Sequence, residues 1–186
     1  MTKRIWMFVL CAWLLAPSLA WSQDAHITDV IVTNTRDDLI LYFGVDGCFT
    51  EDLELAIMNG VPTTFTFLVS LSRVRNFWMD KNLTSLEIRH TVKFNNLKDE
   101  FVITRSENNQ KPIVVNSLSE AKKIMAEVEN LNIAVLEDLE RNHLYQVRIK
   151  AELKKITLPF YLHYAFRFFL FLWDFETDWY ATDFMY

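Results

Sequence analysis

The alternation of apolar and polar residues sets out most of this chain as β-strands. Ala25 to Asn34 places Ile27, Asp29 and Ile31 on one face and Thr28, Val30 and Val32 on the other. Asp38 to Val45 follows after the polar turn Asn34-Thr35-Arg36-Asp37, so the pair reads as an antiparallel hairpin. In Thr64 to Leu71 the residues Phe65, Phe67, Val69 and Leu71 point one way and Thr64, Thr66, Leu68 and Ser70 the other. Thr84 to Phe94 repeats the pattern, with Leu86, Ile88, His90, Val92 and Phe94 inward and Glu87, Arg89, Thr91 and Lys93 outward. The link Asn76-Phe77-Trp78-Met79-Asp80 reads as a helical turn tucked in by Trp78. Glu100–Arg105 and Lys111–Val115 form a further hairpin. Leu144–Ile156 is a long strand with Tyr145, Val147, Ile149, Ala151 and Leu153 inward and Gln146, Arg148, Lys150, Glu152 and Lys154 outward. Asp178–Phe184 supplies a closing strand.

Two stretches switch to the helical period. Thr50 caps an acidic first turn, Leu53, Ala56 and Ile57 recur at helical spacing, and Asn59-Gly60 ends the run before Val61-Pro62. Ser117 and Glu120 form a capping box, which predicts a helix to about Leu131 that buries Ala121, Ile124, Met125 and Val128. Asn132–Leu139 fits either a strand or a helical tail. The fold class is α+β and β-dominated: an antiparallel sheet or sandwich of about seven or eight strands, two amphipathic helices, and a C-terminal apolar helix packed on the sheet. The tetrapeptide Glu-Asp-Leu-Glu at Glu51 and again at Glu137 reads as coincidence in an acidic chain, not as a duplication.

The chain opens on a targeting pattern. Lys3 and Arg4 precede an apolar run from Ile5 to Ala16, and Ser18-Leu19-Ala20 offers a cleavage site, with a cut after Ser22 as the alternative. The run is too short to span a bilayer, and Pro17 ends it. The chain is thus expected to divide into a signal peptide, 1–20, and one exported domain, 21–186, that resides in the periplasm. Loss of Lys3 and Arg4 moves the formal charge from −5 to −7. An acidic domain lacks the basic footprint that phosphate binding needs, which excludes nucleic acid as the expected partner. Cys48 is then the one cysteine left, so neither an internal disulfide nor disulfide-linked subunits are expected. The fold rests on an apolar core, for which 51% hydrophobic residues and 15 phenylalanines are ample.

The order of these features resembles a known family. The export signal, the Gly60-Val61-Pro62 step into a Phe-rich strand, the Ser-x-x-Glu helix, the Leu158-Pro159 step and the terminal Trp-rich strand are similar to the bacterial exported family catalogued as domain of unknown function 4390. The resemblance covers essentially all of the mature chain. It implies an envelope protein of diderm bacteria, in a family often encoded near an envelope sensor kinase, and it carries over no catalytic or binding residues.

Few residues offer chemistry. His26, His90, His143 and His163 lie scattered, without the spacing of a zinc site. His90 reads as a core histidine with one backbone partner. Cys48 has no local partner base and reads as a buried thiol. Asp174, Glu176 and Asp178 begin like a calcium loop, but Trp179 and Met185 stand where its glycine and closing acid belong. No cofactor and no metal are expected. The row Arg148, Lys150, Lys154 and Lys155 reads as a solvated strand face that guards a sheet edge.

Leu158–Tyr186 stands apart. With Pro159 at the first helical position, His163, Arg167 and Asp174 fall on one narrow stripe of a helix that is otherwise apolar. Leu158–Leu172 is 15 residues, about 22 Å of helix against roughly 30 Å of hydrocarbon, too short to cross a bilayer. Such a helix completes the core by lying across a sheet face, lies in a membrane interface, or meets a protein partner. The expected interaction surface is His163, Phe166, Arg167, Phe169, Trp173, Asp174 and Trp179. The leading functional expectation is a non-enzymatic envelope protein acting as an interaction or sensory accessory module. Peripheral membrane or lipid binding through residues 158–173 is the alternative, and a hydrolase built from dispersed residues is the second.

Overall fold

A computed structural model describes residues 25–75, 78–153 and 175–186. The strands are β1 (His26–Asn34), β2 (Asp38–Asp46), β3 (Thr63–Arg73), β4 (Lys81–Asn95), β5 (Glu100–Arg105), β6 (Ile113–Val115), β7 (Glu127–Val135), β8 (Leu144–Leu153) and β9 (Tyr180–Met185). The helices are α1 (Glu51–Met58) and α2 (Leu118–Ala126). The strands form two antiparallel sheets, a small one ordered β1-β2-β7 and a large one ordered β6-β5-β4-β3-β8-β9. The two enclose one hydrophobic core, as the α+β sandwich expectation requires.

The inward faces are those the alternation marks. Phe65, Phe67, Leu71, Ile149 and Ala151 have no exposed surface. Phe43 of the small sheet meets the edge of the Phe67 ring at 5.6 Å, which locks one layer on the other. Within the sandwich, β1 lies over β8 and β7 over β4, while α2 covers β4, β5 and β6. Thr50 caps α1 as its sequence predicts, its hydroxyl accepting from the Leu53 N–H at 3.3 Å.

Five local readings change. In β1 the pairing with β2 shifts between Thr28 and Ile31, and Asp29 takes a positive φ of 52°. That bulge reverses the phase of the strand, so Val30 and Val32 pack on the core and Ile31 is 57% exposed. Helix α2 stops at Ala126, not near Leu131, and Glu127–Val135 pairs with β2 instead. Two carbonyls that flank the helix end meet groups from outside: His90 Nδ1 lies 3.1 Å from Met125 O and Arg105 Nη2 donates to Glu127 O at 2.7 Å. Val128 and Leu131 fit helix spacing and also pair with Phe43 and Leu41 of β2, so tertiary contacts decide the outcome.

The capping box at Ser117 does not close, since its side chain makes no cap bond and only its carbonyl accepts, from Ala121 N–H at 3.0 Å. Ser117 and Glu120 are both exposed, where water competes for the same groups. Trp78 is not tucked in: it is 79% exposed and lies in a bend between β3 and β4. Asn76 and Phe77 fall outside the described residues. Finally, β8 is an interior strand, flanked by β3 and β9, so Arg148 and Lys150 guard no edge. The repeated tetrapeptide adopts two structures, the start of α1 and a 3-10 turn running into a loop, as coincidence requires.

Candidate functional site

Of the residues expected to form an interaction surface, Trp179 is described; His163, Phe166, Arg167, Phe169, Trp173 and Asp174 lie outside the described residues. So do Lys154, Lys155 and the signal-like residues 1–20. Trp179 is 43% exposed on the outer face of the large sheet, just ahead of β9. Alternation along β8 sends Arg148 and Lys150 to the same face. The Arg148 guanidinium sits 4.8 Å from the centre of the Trp179 ring and Lys150 Nζ 5.6 Å from it. Two cations thus lie over one indole ring and fix its position beside β8. Lys150 also pairs with Glu176, and Gln146 Nε2 donates to Asp183 Oδ1 at 2.9 Å. Beside the indole runs a shallow groove of about 390 Å³, lined by Leu68, Ser70, Ser85, Glu87 and Trp179.

The same strand holds the start of the C-terminal segment 175–186. Leu153 N–H donates to Phe175 O at 2.9 Å, and Thr177 brackets Ala151 through both its N–H and its hydroxyl. Phe175 turns inward, its ring edge-on to Phe65 at 5.1 Å. Leu153 and Phe175 therefore lie side by side at the large sheet, on the strand that carries the Trp179 platform.

A second cluster is internal. His90 is fully buried, and its Nε2 lies 2.7 Å from Glu107 Oε1 while Nδ1 faces Met125 O. Arg105, opposite His90 in the β4–β5 register, brings Nε to 3.0 Å from the same carboxylate oxygen and 3.3 Å from His90 Nε2. Arg105 thus joins the Glu107 carboxylate and the His90 ring in one network at the edge of the core. Burial pushes the Glu107 carboxyl up, but the hydrogen bond and charge of His90, the backbone and Arg105 outweigh it and hold its pKa below the usual glutamate value. The expected core histidine is thus present, with a carboxylate added to its backbone partner. Nothing in the sequence pairs Arg105 or Glu107 with a residue fifteen or more positions away; only the strand register does.

Cys48 is buried, with its thiol 3.4 Å from Val45 O. Burial pushes that thiol up to about 12, the charge of Asp46 adding to the rise and that of Lys122 opposing it. This is the reverse of a nucleophile, which needs a lowered pKa. In the folded chain starting at Trp21, Cys48 should stay unmodified by an aromatic disulfide reagent at pH 8 and react fully in urea. Rapid labelling without denaturant would contradict its burial. Above the ordinary thiol value of about 8.5 the unfolded chain ionises first, so stability falls as pH rises toward the folded value.

A family model described as domain of unknown function (DUF4390) matches residues 22–183. No curated protein and no solved structure matches the chain.

Proposed function

We propose that this chain, which belongs to the DUF4390 family, is a non-enzymatic protein-interaction or sensory accessory module of the cell envelope, exported through residues 1–20 and working in the periplasm. The basic start, short apolar run and Ser18-Leu19-Ala20 site support export. The observation that carries the reading is the convergence at one end of the large sheet. There the Trp179 indole, braced by Arg148 and Lys150, walls an open groove, and the Leu153–Phe175 bond ties the C-terminal segment to the same strand. Trp, Tyr and Arg of this kind anchor protein interfaces. The groups most capable of catalysis are committed elsewhere: His90 uses both ring nitrogens in the core, and the Cys48 thiol is buried and hard to ionise.

The mature chain, used as bait in envelope extracts, should retain a specific protein, and Trp179→Ala should weaken that capture about tenfold without lowering the melting temperature. Recovery of no specific protein, or capture indifferent to Trp179, would sink the reading. Flotation with liposomes that persists when extract proteins are removed would move the assignment to lipid binding.

A further inference from the structure

The two sheets leave four edges among the described residues, and three of them are blunted against pairing. Strand β1 carries the bulge at Asp29. Strand β7 has two register shifts, a positive φ at Asn130, and the acids Glu127 and Glu129. Strand β6 is three residues long and follows Pro112. These are the devices by which proteins keep sheet edges apart. Strand β9 has none of them: it pairs with β8 over six residues without a register shift, contains no proline, and bears one acid, Asp183.

Its faces are unfinished as well. In the β8 register Tyr180, Thr182 and Phe184 share the inner side with Ile149, Val147 and Tyr145, and Phe184 stacks on Tyr145 at 5.7 Å. Strand β1 covers β8, and β9 lies one strand beyond it. Tyr180 is accordingly 39% exposed, while Thr182 and Phe184 are half-buried. Among the described residues no strand pairs with the outer edge of β9, and such an edge with an aromatic inner face is suited to another strand.

We propose that β9 pairs antiparallel with β9 of a second copy of this chain, joining two large sheets into one across a twofold axis. The sequence of the strand selects the copy and the register. Tyr186 N–H donates to His143 O, so by alternation the backbone groups of Thr182 and Phe184 turn toward β8 and those of Ala181, Asp183 and Met185 turn out. With Thr182 opposite itself, Ala181 and Asp183 exchange the outward hydrogen bonds. Tyr180 faces the other copy's Phe184 on the inner side, and Trp179 faces Met185 on the outer side. Aromatic cross-strand pairs of this kind stabilise a sheet. A slip that centres the pair on Asp183 sets two carboxylates against each other, which the strand disfavours. The half-exposed aromatic side chains thus find partners in a single arrangement.

The register makes the test specific. The native mature chain should sediment as a dimer. Ala181→Asp puts a second acid opposite Asp183 in both symmetric pairs and should weaken dimerisation about tenfold. Adding Asp183→Lys should restore the dimer. Independently, Thr182→Cys should form a covalent dimer on mild oxidation, because residue 182 meets its own copy at a closely spaced pair, whereas Asp183→Cys should not. Ala181 and Asp183 are exposed, and a near-ultraviolet circular dichroism spectrum matching the native one shows that each variant folds. A native chain that sediments as a monomer at its highest attainable concentration overturns the proposal. So does a dimer indifferent to Ala181→Asp, or equal cross-linking at 182 and 183. Ala181→Asp leaves Trp179 itself in place, so capture of an envelope protein is read on that monomeric variant and the two proposals fail separately.

Discussion

Phe67→Ala should cost about 3–5 kcal/mol in urea unfolding. The ring has no exposed surface and stands at the junction of three elements: Phe43 of the small sheet meets it at 5.6 Å, and the buried His90 ring lies 4.9 Å away on β4. Truncation removes the transfer energy of the ring and leaves a cavity between two sheets whose hydrogen-bonded ladders resist collapse. Phe67→Leu keeps most of the volume and should cost about 1–1.5 kcal/mol. An alanine variant within about 1 kcal/mol of the native chain would show that the two layers do not share the core described above.

Glu107→Ala should be nearly as damaging, by about 3 kcal/mol, for an electrostatic reason. The glutamate is the group on which His90 and Arg105 converge, and its removal strips the Arg105 guanidinium of its carboxylate and His90 Nε2 of its 2.7 Å partner in a site where His90 has no access to water. Because His90 and Arg105 also hold Met125 O and Glu127 O, hydrogen exchange should accelerate first where α2 passes into β7. The same carboxylate gives a pH signature. Its folded pKa is lowered, so its stabilisation is present above the ordinary glutamate value of about 4.3 and is lost as pH falls through the folded value. The alanine variant should therefore show a shallower acid limb than the native chain. Equal acid limbs and a loss under about 0.5 kcal/mol would remove Glu107 from any structural role.

How much of this the chain discloses by itself depends on the length scale of the cause. Strands β3, β4 and β8 are legible because a two-residue period repeated over eight or more positions belongs to the strand alone. The signals that misled are shorter. One αL residue, Asp29, reverses the phase of β1, and no local composition marks it. The early end of α2 is written on β4 and β5, in His90 and Arg105, more than twenty positions away. Ser117 and Glu120 show that a capping motif states an opportunity that solvent can decline. In the candidate site, Trp179 is legible as an exposed aromatic residue, but its Arg148 and Lys150 braces follow from β9 pairing beside β8, which pattern alone does not reveal. The edges that guard themselves, and the one that does not, become visible once strand order is known.

The central claim is that the working surface lies at the β8–β9 end of the large sheet, around Trp179. Site-specific photocrosslinking in intact cells tests it directly, with a photoreactive residue at position 179 and, as control, at Leu97, a turn residue 98% exposed and remote from that sheet end. The account predicts a discrete adduct between position 179 and an envelope protein, distinct in mass from the chain's own dimer, and none from position 97. An adduct from position 97 of equal yield, or no protein adduct at 179, would contradict it.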